Sequence, residues 1–85
     1  MKKSSPKSFG RVRVDWRAVG RRIRELRGFE VTQAEFARRV GVSQGYFSLL
    51  ERGEVEGGAA VLLSISRECG TSVDWLLTGE EKKQQ

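Results

Sequence analysis

The chain has 85 residues, 38% of them apolar and only one proline, enough for a single modest hydrophobic core and no second domain. One cysteine, Cys69, and no histidine exclude a Cys/His zinc site and every nucleophile pair that depends on an imidazole. Sixteen Lys and Arg against eleven Asp and Glu leave a net charge of +5, and no apolar run approaches the ~20 residues of a membrane span.

The charge is unevenly spread. Residues 1–27 hold ten Lys or Arg against Asp15 and Glu25, whereas residues 28–85 hold six against nine acids. A basic front segment suits a polyanion, either nucleic acid or an anionic surface, or it is a solvated face that aids solubility. There is no glycine-rich phosphate loop ending in Gly-Lys-Ser/Thr, and no enzyme, metal or cofactor is expected. The N-terminus lacks the apolar stretch of a secretory signal, which points to the cytoplasm and to no membrane role.

Met1 to Gly10 is expected to be a flexible basic arm and Glu80 to Gln85 a polar tail, because neither has the apolar residues to repay its ordering entropy. The folded domain is expected over residues 11–79. Within it Gly28, Gly41, Gly53, Gly70 and Gly79 each follow an apolar-periodic stretch, as helix C-caps do, which predicts five short helices.

The first starts at an Asp15 cap and runs through Trp16, Val19, Ile23 and Leu26 as one apolar stripe, with Arg17, Arg21, Arg24 and Arg27 elsewhere on its circumference. Thr32-Gln33-Ala34-Glu35 reads as a capping box that opens the second, whose inner face is Phe36, Ala37 and Val40. Ser43 caps the third, with Phe47 and Leu50 inward. The fourth follows Gly57-Gly58 with Val61, Leu62, Ile65 and Cys69, the last read as a small core residue. Thr71 or Ser72 caps the fifth, in which Val73, Leu76 and Leu77 complete the core and Trp75 lies at its edge. No strand-like alternation appears, so the fold class is all-α.

The second and third helices are separated only by Gly41-Val42-Ser43, a turn short enough to force a steep crossing. Ala37 must be small where they approach, Gly41 is suited to a positive φ, and Val40, Val42, Phe47 and Leu50 seal the junction.

Through Thr32-Gln33-Ala34-Glu35-Phe36-Ala37, Val40-Gly41-Val42-Ser43-Gln44 and Glu51-Arg52-Gly53 the chain resembles the phage repressor and Cro type of helix-turn-helix, and Ser72 to Gly79 is similar to that family's last helix. The resemblance spans roughly residues 16–79. It implies a five-helix, lambda-repressor-like domain that regulates transcription, as a repressor, by binding a palindromic double-stranded DNA operator as a homodimer. In such a domain the third helix, Ser43 to Arg52, enters the major groove.

Turning that helix about Phe47 and Leu50 leaves Gln44, Gly45, Ser48, Leu49 and Arg52 outward. Gln44 is the conventional base reader, for adenine N6 and N7; Gly45 and Ser48 are further base-contact positions, and Leu49 suits a thymine methyl or a protein neighbour. Gln33, at a helix N-terminus, is similar to the family's phosphate-contacting glutamine, and Arg38, Tyr46 and Arg52 are further phosphate candidates. Arg27 and Glu51 match a pair that bridges the first and third helices in family members, a structural role shared with Ala37 and Gly41.

The loop Glu54-Val55-Glu56-Gly57-Gly58 departs from the family, in which relatives place Lys or Arg there. The alternative is a protein-interaction module of the same fold, an antitoxin or adaptor, that uses Tyr46, Leu49 and the acidic loop Glu54 to Glu56.

Overall fold

A computed structural model of the chain describes residues 12–80; the expected basic arm and nearly all of the expected tail lie outside them. Among the described residues there are five helices and no strand: α1 (Trp16–Arg27), α2 (Gln33–Val40), α3 (Gln44–Glu51), α4 (Ala59–Cys69) and α5 (Val73–Thr78). Their order and number follow the apolar periodicity.

Local chemistry sets the helix starts. Asp15, Thr32, Ser43 and Ser72 each stand in extended backbone just before a helix, and each side chain accepts a hydrogen bond from a backbone N–H three residues on. Those N–H groups have no partner inside the helix, so each cap is worth about 1 kcal/mol. Ser72 rather than Thr71 caps α5, at 2.9 Å from the Trp75 nitrogen. The capping box at α2 forms only in half: Thr32 Oγ1 accepts from the Glu35 nitrogen at 3.1 Å. The Glu35 carboxylate does not reach back to the cap, because Arg38 and Arg39, one turn ahead, take its two oxygens. Arg39 also reaches Glu68 on α4 at 3.5 Å.

The core is one cluster drawn from every helix: Val19 and Ile23 of α1; Phe36, Ala37 and Val40 of α2; Phe47 and Leu50 of α3; Val61, Leu62 and Ile65 of α4; Leu76 of α5. Every one of these falls on an inward position expected from the sequence. The Phe36 and Phe47 rings meet at 5.2 Å between centroids with a 42° tilt, joining α2 to α3 at the crossing. Val73, Trp75 and Leu77 are half-buried against the cluster.

Cys69 is also half-buried, as a packing residue. Burial, with Glu68 beside it, pushes its thiol above the usual range, so little thiolate forms at neutral pH. Alkylation of the native protein by iodoacetamide at pH 7 should therefore be slower than that of a free thiol and speed up on unfolding. Equal rates in the two states would show that the packing is not as described.

Two features were not anticipated. Gly20 lies in the middle of α1, and a Cβ there would meet the Glu51 carbonyl and sit 2.7 Å from the Leu50 oxygen, so α1 and α3 touch backbone to backbone. Arg22 leaves the outer circumference of α1 and donates from Nη1 to the Leu76 carbonyl at 2.9 Å, holding the end of α5 against α1.

Candidate nucleic-acid interface

The two-helix unit begins with the turn. Gly41 takes φ 85°, and its N–H reaches the Ala37 carbonyl at 2.9 Å while that of Val42 reaches the same oxygen at 3.0 Å. A side chain would be strained in that left-handed conformation, so the glycine closes α2 within one residue. Ser43 then caps α3 at 3.1 Å from the Tyr46 nitrogen. Ala37 is buried at the crossing, as its size required.

What aims α3 is a buried charge cluster. The Glu51 side chain is 0% exposed. Arg27 grips it bidentately, Nε to Oε2 at 2.7 Å and Nη2 to Oε1 at 3.0 Å, and Gln33 donates its side-chain N–H to Oε1 at 2.9 Å. Arg27 Nη1 also donates to the Val31 carbonyl at 2.8 Å, tying down the α1–α2 connection. Three helices thus meet on one carboxylate. The hydrogen bonds that Arg27 donates to Glu51 raise its pKa further above its already high value, so the guanidinium is charged at every working pH.

The expected Arg27–Glu51 bridge is present. Gln33 was expected at phosphate alone; one of its two amide hydrogens is committed to Glu51, and the other remains to donate. Two residues 18 positions apart made that partnership invisible to local pattern.

The outward row is largely as placed by helical pitch. Gln44, Gly45 and Arg52 are exposed, and Ser48 and Leu49 are half-buried. Leu49 lies outside the core cluster, so the apolar side chain stays on the outer face. A Cβ at Gly45 would meet nothing within 4 Å, which leaves a blank, open position beside Gln44. Ser48 and Arg52 are joined, with Arg52 Nη1 donating to Ser48 Oγ at 2.7 Å.

The remaining phosphate candidates are engaged within the chain. Arg38 is exposed and ion-paired with Glu35. Tyr46 is half-buried and its hydroxyl donates to the Glu56 carbonyl at 3.3 Å, linking α3 to the loop beyond it. Arg52 Nε pairs with Glu54 at 3.0 Å, so one of the two acids that departed from the family pattern neutralises a neighbouring arginine.

Residues 18–78 match a family model described as a helix-turn-helix domain. The chain belongs to the helix-turn-helix family. Within it the fold is that of the phage repressor and Cro type. The chain is similar to the P22 c2 repressor, solved in complex with a synthetic operator, at 38% identity and a TM-score of 0.68 over 73% of this chain and 96% of that one. It is similar to the clp gene regulator ClgR from Corynebacterium glutamicum at 35% identity and a TM-score of 0.66, over 75% and 69% of the two chains. The restriction-modification controller protein C.AhdI from Aeromonas hydrophila is 25% identical with a TM-score of 0.67, over 74% and 97%. A curated relative, an uncharacterized HTH-type transcriptional regulator from Haemophilus influenzae, is 33% identical over 52 residues, and the chain spans 22% of its length.

Helix-turn-helix proteins of this type are DNA-binding transcriptional regulators. Among the described residues no cluster of Cys, Asp and Glu could hold a metal ion. No described helix is long and apolar enough to cross a membrane.

Proposed function

We propose that the protein is a cytoplasmic transcriptional repressor that binds a short palindromic DNA operator as a homodimer, with half-sites about one helical turn apart. One observation carries the reading: α3 presents Gln44, Gly45, Ser48, Leu49 and Arg52 as one outward row on a helix whose direction is set by the Glu51 cluster. The likeness to the P22 c2 repressor, itself solved with operator DNA, supports the same docking.

In this reading α3 lies in the major groove. Gln44 at its first turn meets adenine, Leu49 lies against a thymine methyl, and Gly45 lets the backbone come close to the base edges. Gln33 at the start of α2 gives its free amide hydrogen to a phosphate, where the helix N-terminus also favours an anion. Arg38 on the same helix is a further phosphate candidate, as is Tyr46 if its hydroxyl leaves the Glu56 carbonyl. Arg17, Arg21 and Arg24 on α1, together with the basic residues ahead of it, add sequence-independent attraction. Two of the features that would serve a protein-binding module are already occupied, Tyr46 by the Glu56 carbonyl and Glu54 by Arg52.

Selection of bound duplexes from a random pool should return a symmetric consensus, and affinity for it should fall steeply as salt rises. Gln44→Ala should relax preference at one base pair per half-site, a loss of about 1–3 kcal/mol of discrimination, whereas Gln33→Ala should weaken all sequences alike. An unchanged consensus in Gln44→Ala would refute the docking of α3, and no consensus from the parent protein would refute the function.

A further inference from the structure

Arg52 ends α3 and is the only arginine of the outward row. Its guanidinium is held from two sides: Nε donates to Glu54 Oε2 at 3.0 Å and Nη1 donates to Ser48 Oγ, one helical turn back, at 2.7 Å. Both partners sit on rigid backbone. Ser48 is inside α3. Glu54 stands on a turn fixed by two hydrogen bonds, from its own N–H to the Leu49 carbonyl at 3.0 Å and from the Gly53 N–H to the Leu50 carbonyl at 3.1 Å. Gly53, at φ 74°, is pressed on α1 so closely that a Cβ would lie 2.6 Å from the Arg17 Cα. The turn is held against α1, so the backbone that carries the carboxylate is a fixed post.

A phosphate anchor needs none of this. Attraction to the DNA backbone is long-ranged and tolerant of direction, and it scales with uncompensated positive charge. A carboxylate bonded to the arginine cancels that charge and brings a negative group toward the phosphates, which opposes the same contact. A base reader has the contrary requirement: its donors must lie in one plane at one place, with the rotamer freedom of a long side chain already removed before binding. Of the five guanidinium hydrogens two are used, and the adjacent Nη1 and Nη2 edge keeps hydrogens that match the O6 and N7 acceptors of guanine.

We infer that Arg52 reads a guanine in each half-site, and that Glu54 and Ser48 are positioning residues that hold its guanidinium for that contact. The inference rests on the DNA-binding reading above and alters two assignments within it: Arg52 moves from phosphate to base, and Ser48 acts through Arg52. The pairing also holds the Glu54 carboxyl below the usual carboxylate range, so the post stays charged at neutral pH. Glu54 further lowers affinity for unrelated DNA, which widens the gap between operator and the remainder of a genome.

The test uses the full chain and duplex DNA: selection from a random pool, then titration of the selected duplex and an unrelated duplex at two salt concentrations, for the parent, Arg52→Ala and Glu54→Gln. All the altered side chains are exposed, and unchanged thermal midpoints will confirm that the fold is kept. The parent consensus should contain one guanine per half-site that Arg52→Ala no longer selects, with operator affinity down by about 10- to 100-fold. The same variant, which leaves Glu54 uncompensated, should lose several-fold less affinity for the unrelated duplex than for operator. Glu54→Gln should bind unrelated DNA more tightly while its preference for that guanine falls. Equal losses of operator and unrelated DNA in Arg52→Ala, with a salt slope smaller by about one, would make Arg52 a phosphate contact and overturn the inference alone. So would a Glu54→Gln variant with the parent's ratio of operator to unrelated binding. A parent protein that selects no consensus overturns this inference and the proposed function together.

Discussion

Gly20→Ala should destabilise the protein by about 3 kcal/mol, the upper end of the usual overpacking range, even though alanine is the better helix former. In an open helix interior the exchange stabilises by up to ~1 kcal/mol, so a loss has to come from the neighbours. Here the neighbours are main-chain atoms, the carbonyls of Leu50 and Glu51, which cannot rotate aside as a side chain can. α1 and α3 would have to separate. That movement would also pull Arg27 from Glu51 and tilt the outward row of α3, so on the proposed function DNA affinity should drop with stability. Gly45→Ala is the matched control: its new methyl meets nothing within 4 Å, and the variant should be at least as stable as the parent. Urea unfolding of the three proteins decides the matter. Gly20→Ala at parental stability would mean that the helices are further apart than described.

Removing the carboxylate at the junction should have a larger effect. Glu51→Ala leaves Arg27, whose side chain is only 14% exposed, without its bidentate partner and Gln33 without its acceptor. Breaking a buried pair from one side typically costs about 3–5 kcal/mol, since the surviving charge stays desolvated. A domain of this length has roughly 4–13 kcal/mol in total, so the variant should sit close to unfolding at room temperature. The double variant Arg27→Met with Glu51→Leu removes both charges and fills the space with apolar atoms; it should recover most of the loss. If Glu51→Ala unfolded at the parental urea midpoint, the cluster would hold nothing together. The double variant bears on function as well. It should fold yet bind operator less well, because Gln33 and α3 would no longer be tied to one atom.

These two sites differ in how far the chain itself announced them. Glu51 was marked by its place in Glu51-Arg52-Gly53 and by the resemblance that pairs it with Arg27, and the structure adds Gln33 as a third member and Arg24 at 4.0 Å from Oε1. Gly20 passed without notice. A glycine inside a helical pattern with no turn to serve costs ~1 kcal/mol in propensity, and that cost was the one available sign of a close approach. Nothing in sequence named α3 as the partner.

The row on α3 divides in the same way. Helical pitch about Phe47 and Leu50 placed Gln44, Gly45, Ser48, Leu49 and Arg52 outward, because a single rotation angle governs all five. It could not tell that Ser48 accepts from Arg52 or that Glu54 completes the chain. The acidic loop read only as a departure from the Lys or Arg that relatives place there. Seen with its partner it holds an arginine in place.

What the amino-acid sequence determined by itself was the helical class, the five segments, three of the four side-chain N-caps and the identity of the core, all properties of residues within about one turn of each other. Such signals are local, and the physics that reads them is local too. The tertiary structure alone decided the rest: Gln33 on Glu51 across 18 positions, Arg22 on the Leu76 carbonyl across 54, and Gly20 and Gly53 against neighbouring backbone. A long charged side chain can reach many partners, and which one it finds depends on how the helices pack. Packing is settled by the whole core at once, so the aim of α3 belongs to the fold and its outward residues belong to the sequence.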